Sequence, residues 1–151
     1  MQSVWVDSMN NVKQSFHKIS YVQYPLMLIA LFYTLVPYFR GFDVFWPSIN
    51  QALIFAGLAI SFSTLQDTTK TQNDFSKKIW ENPQKGQRAL IFIFVSALAM
   101  LVLGMYGFFV AKDGIVKEVA FGTLMLGIGY IGLLKSAIEM FENHRLDRTG
   151  T

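Results

Sequence analysis

The stretch from Ala89 to Ala111, ALIFIFVSALAMLVLGMYGFFVA, contains no charged residue. A helix needs about 20 mostly apolar residues to cross the hydrocarbon of a bilayer. This block meets that length and has no wet face, so it does not suit the amphipathic helix of a water-soluble core. Three more blocks of similar kind follow from the same criterion: Tyr21 to Phe39, Pro47 to Leu65 and Val119 to Ala137. The second is the weakest, because Ser48, Asn50 and Gln51 stand at its start. Composition agrees with a membrane solvent. Charged residues make up 15% of the chain, against about 25% in soluble domains. The expected fold is all-α: a polytopic membrane protein whose four transmembrane helices form an antiparallel bundle, preceded by an amphipathic surface helix.

Lysine and arginine in the short flanks set the orientation of such a chain. Lys13 and Lys18 precede the first span. Lys70, Lys77, Lys78, Lys85 and Arg88 lie between the second and third, and Lys135, Arg145 and Arg148 lie at the C-terminal end. These ten face one side, whereas Arg40, Lys112 and Lys117 are the three on the other. The excess predicts both termini in the cytoplasm, with the loop 66–88 and the tail 138–151 on that side. A bacterial inner membrane is the expected location. Residues 1–20 are too polar for a cleavable signal and are read as retained.

Within that first segment, Trp5, Met9, Val12, Phe16 and Ile19 fall on one helical face. Ser3 to Ser20 is therefore expected to lie as an amphipathic helix on the membrane surface. In the loop 66–88, Asn73 or Asp74 is expected to cap a short helix ending near Trp80, with Pro83 and Gly86 breaking it. Lys77, Lys78, Lys85 and Arg88 serve as orientation signals and can also touch anionic lipid.

Helices in lipid associate by close approach of their backbones, which small residues permit. Three spans carry small residues every three or four positions. They are Ala52, Ala56, Ala59 and Ser63 on the second span; Ala97, Gly104, Gly107 and Ala111, with Met100, on the third; and Gly122, Gly129, Gly132 and Ser136, with Met125, on the fourth. These stripes predict packing seams, with the third and fourth spans as the tightest pair. The run GIGYIG from Gly127 to Gly132 belongs to such a seam. It is not a selectivity filter, which requires a preceding pore helix, nor a dinucleotide loop, which requires a preceding strand.

The candidate functional cluster is polar and lies near the cytoplasmic ends of the second and fourth spans: Ser63, Gln66, Lys135, Ser136 and Glu139. Ionisable groups at such depth are functional candidates, and Lys135 and Glu139 stand four residues apart on one helix, where they can pair. Thr34 and Pro37 can mark a kink in the first span. The absence of cysteine excludes disulfide, thiolate and cysteine–metal chemistry. His17 and His144 sit in polar flanks without companions at metal-ligand spacing. No catalytic, metal or cofactor site is expected, and a net charge of +3 gives no case for nucleic acid. The expected partners are the lipid bilayer and other membrane subunits or copies of the same chain. The expected role is that of a non-enzymatic protein working through helix–helix contact. The alternative is a small oligomeric channel or transporter with a conduit at Ser63, Gln66, Ser136 and Glu139.

Overall fold

A computed structural model describes residues 14–66 and 74–146. Most of the expected surface helix, and Asn73, therefore lie outside the described residues. Residues 14–20 are helical, and a turn at Tyr21 and Val22 separates them from the first long helix. The long helices are α1 (Gln23–Arg40), α2 (Phe45–Ser63), α4 (Pro83–Phe109) and α6 (Ala120–His144). Two short helices join them, α3 (Asp74–Trp80) and α5 (Ile115–Glu118). Among the described residues there is no strand. Four helices are long and apolar enough to cross a membrane, by length and composition. Only 11% to 28% of the most apolar window in each is buried inside the chain. Leu28, Phe32, Phe39, Phe92 and Phe109 all point outward. Outward faces so apolar match a hydrocarbon solvent.

Local sequence explains the helix boundaries. Pro83 opens α4 at a position where its missing N–H costs nothing, and the Asn82 side chain accepts from the amides of Gln84 and Lys85 at 3.0 and 3.1 Å. Pro83 thus starts a helix, and Gly86 lies within it. The ring of Phe141 occupies the space where a Cβ at Gly86 would stand. Helix α4 accordingly begins before its apolar block, and α6 continues past its own to carry Phe141. The turns after α1 and before α5 each use a glycine with positive φ, Gly41 at 101° and Gly114 at 83°.

The long helices pack in the order α1, α2, α6, α4, and no comparable contact closes the row between α4 and α1. Helix α6 is held from both sides. Against α4, Gly104 lies under the backbone of Leu124, and Gly127 faces Leu101. Against α2, the paired positions are Asn50 with Gly122, Gly57 with Gly129, and Thr64 with Gly132. The numbers rise together, so α2 and α6 run parallel, whereas those on the α4 side run in opposite senses. Helix α1 joins α2 through the stacked rings of Tyr33 and Phe55, 5.6 Å apart and 8° from parallel.

The α2–α6 pair brings backbone against backbone at Gly122, which meets the Asn50 carbonyl, and at Gly57 and Gly129. A Cβ on Gly57 would lie 2.5 Å from the Met125 carbonyl oxygen, and one on Gly129 would lie 2.6 Å from that of Gly57. Backbone cannot swing aside as a side chain can. At Gly132 the added carbon would meet only the Thr64 side chain, at 3.2 Å. Gly57→Ala and Gly129→Ala are therefore expected to destabilise by about 1–3 kcal/mol, the usual range for overpacking, and Gly132→Ala by clearly less. Thermal unfolding in detergent ranks the three; equal losses would contradict this account of the seam.

Candidate functional site

The end of the row that carries the α2–α4 connection and the C-terminal tail is called here the basic end. Polar groups inside the row sit mainly at this end and at the opposite end of the α2–α6 pair. At that opposite end, α6 begins without a side-chain cap of its own. Asn50 of α2 supplies one: its Oδ1 accepts from the Gly122 amide at 2.7 Å. At the basic end, Ser136 Oγ of α6 donates to the Thr64 carbonyl just beyond α2, at 3.1 Å. Helix ends leave amides and carbonyls without intrahelical partners. Each of these two helices therefore satisfies one such group on the other.

Beside the Ser136 clasp lies a cavity of about 580 Å³. Gln23, Tyr24 and Met27 of α1 form one wall, and Ile93 of α4 stands in another. Ser63, Thr64 and Gln66 enter from the end of α2, and Leu133, Ser136, Ala137 and Met140 from α6. Ser76 and Trp80 of α3 close the basic end. Helix α3 reaches α6 there through Ser76 Oγ, which donates to Met140 Sδ at 3.7 Å, and within α3 Trp80 Nε1 donates to Ser76 Oγ at 3.0 Å. The tail adds a further tie, from the Leu146 amide to the Glu81 carbonyl at 3.2 Å.

The five candidate residues divide into two groups. Ser63, Gln66 and Ser136 line the cavity. Lys135 and Glu139 pair with each other at 3.5 Å, with 81% and 47% of their side chains exposed, and neither is part of the lining. An exposed pair of this kind contributes about 0.3–0.5 kcal/mol to its helix. The expected seam residues Ala52, Ala59, Gly104, Gly107, Gly122 and Gly129 are buried, while Ala56 and Gly132 are half-buried. Asn50, Gly57, Tyr24, Thr64, Ser76 and Trp80 are not among the candidate site or seam residues read from the sequence. Asn50 had a visible signal, an amide placed in an apolar span, but it read as a weakness of that span.

Among the described residues, the lining offers hydroxyls, amides, a phenol and an indole, with no charged side chain. Among the described residues, no three His, Cys, Asp or Glu side chains come together as a metal site would need. His144 Nδ1 lies 2.9 Å from the Met140 carbonyl oxygen of its own helix. The described lining can therefore hold a molecule by shape and hydrogen bonds. Comparison with protein-family models, with curated proteins and with solved structures found no match for this chain.

The two clasps make a direct prediction. Asn50→Leu leaves the Gly122 amide without its acceptor, at a cost of about 1–3 kcal/mol. Ser136→Ala is expected to cost about 1 kcal/mol, as the Thr64 carbonyl keeps access to water near the helix end. The clasps sit at opposite ends of the pair, so the double variant is expected to show the sum of the two losses. Equilibrium unfolding of the three variants in mixed micelles checks this. A double variant no worse than Asn50→Leu alone would rule out independent clasps.

Proposed function

We propose that the chain is a non-enzymatic multi-pass membrane protein that acts through helix–helix contact, as a homo-oligomer or as an accessory subunit of a larger membrane complex. The observation that supports this is the unclosed row. Helices α1 and α4 are each held to the rest along one side. Their other faces, with Leu28 and Phe32 on α1 and Phe92 and Val95 on α4, are open to further helices. The glycine seams do not serve that purpose, because they are filled within the chain. An external contact would instead use the broad aromatic and aliphatic faces of the two edge helices.

In this proposal the chain crosses the membrane four times, successive spans run antiparallel, and both termini are cytoplasmic. The segment Ser3 to Ser20 lies on the cytoplasmic surface. The lysine and arginine excess on the basic end supports that orientation. The cysteine-free composition suits a bacterial inner membrane. The channel or transporter alternative depended on Glu139 standing beside Ser63, Gln66 and Ser136. Its pairing with Lys135 outside the lining favours the contact reading.

Stoichiometry tests the proposal. Native mass spectrometry from mild detergent and from nanodiscs is expected to show a fixed number of copies above one, or one identified partner in integer ratio. The chain has no cysteine, so single Leu28→Cys and Phe92→Cys variants report the edges without background. At least one of them is expected to crosslink strongly. A lone monomer in both media, with neither edge crosslinking, would overturn the contact reading.

A further inference from the structure

The cavity at the basic end is independent of the contact reading, and its chemistry specifies a ligand. Among the described residues, no charged side chain lines it. A phosphate or ammonium enclosed there would lack a counter-charge, which is costly away from water. Three hydroxyls of the lining already direct their protons to backbone carbonyls: Ser63 Oγ to Ile60 at 2.6 Å, Thr64 Oγ1 to Ser61 at 2.7 Å, and Ser136 Oγ to Thr64 at 3.1 Å. Each hydroxyl oxygen keeps acceptor capacity, so a free hydroxyl on a ligand can donate to this trio.

Position adds the second constraint. Tyr24 and Trp80 border the cavity at the ends of the apolar segments. Tyrosine and tryptophan are the residues of the membrane–water boundary. Met27 and Ile93 face the cavity from α1 and α4, the two helices that no close packing joins. A ligand seated between them has its polar end at the hydroxyls and its apolar end toward lipid. The volume of about 580 Å³ falls within the range of about 300–1,000 Å³ of small-molecule sites.

We infer that this cavity binds an uncharged lipid bearing a free hydroxyl, of the diacylglycerol class. The glycerol head sits among Ser63, Thr64 and Ser136, and the acyl chains leave between α1 and α4. The free hydroxyl donates to the serine and threonine oxygens. A phosphorylated headgroup brings an unmatched charge, and a fully esterified glycerol brings no donor.

Three dioleoyl probes test this with the intact chain in detergent: dioleoylglycerol, dioleoyl phosphatidate and the acetylated glycerol that lacks the free hydroxyl. Native mass spectrometry is expected to show one dioleoylglycerol per chain, retained roughly tenfold better than either of the others, as an unpaired charge or a missing donor demands. Ile93→Trp and Met27→Trp, which fill the cavity from opposite walls, are expected to lower that retention about tenfold while leaving the melting of the lipid-free protein unchanged. Equal retention of the three probes, no retention of dioleoylglycerol, or undiminished retention in both tryptophan variants would each overturn the assignment. Should a tryptophan variant fail to fold, the three-probe comparison on the parent chain still decides.

Discussion

A backbone amide or carbonyl with no partner is far more costly in hydrocarbon than in water, and the architecture follows from that constraint. Within a long helix the difficulty does not arise, because each group bonds to its own turn. It arises at helix ends that lie against another helix. The α2–α6 pair meets it twice, with Asn50 reaching the first turn of α6 and Ser136 reaching the last carbonyls of α2. Both bonds depend on the helices lying close together and in register, and the glycine contact at Gly57 and Gly129 allows that approach. The seam and the polar clasps therefore form one unit: without the glycines, the amide and hydroxyl could not reach. The same economy appears at the other end of α4, where Lys117 Nζ donates to the Phe108 carbonyl at 3.0 Å.

Sequence reasoning was strongest where the signal was solvent and weakest where it was pairing. The uncharged runs declared four long apolar helices, because a continuous run of that length has few other homes. The short helix ending at Trp80 was also visible, although Pro83 proved to start the next helix and Gly86 to be a packing position for Phe141. Pairing was less legible because small residues on α6 occupy two faces. Gly122 and Gly129 meet α2 while Gly127 meets Leu101 of α4, and a single stripe read along the chain merges the two. Gly57, where α2 backbone meets α6 backbone, lies off the Ala52–Ala56–Ala59 rhythm and escaped it. The polar cluster was half legible. Depth alone grouped Ser63, Gln66 and Ser136 with Lys135 and Glu139, but depth does not say which side of a helix faces inward, and only the first three reach the cavity.

The row arrangement also explains why the cavity exists. A closed four-helix bundle fills its centre with side chains from every helix. Here α1 and α4 stand apart on either side of the central pair, and α3 folds across the basic end, leaving a recess bordered by Tyr24 and Trp80 whose described lining is uncharged. The side chains that would fill such a centre point outward instead, which is tolerable because lipid solvates them as readily as a protein core does.

The parallel course of α2 and α6 has a consequence for biogenesis. Two spans that cross the bilayer in the same direction must be separated by one that crosses back, so α2 emerges from the ribosome long before its mate. In the proposed four-span topology, with folding during synthesis starting from the N-terminus, α1 and α2 would enter the bilayer before the Gly122 amide exists to meet Asn50. On that topology the Asn50 side chain waits for its α6 donor, the Gly122 N–H, until the last helix is made.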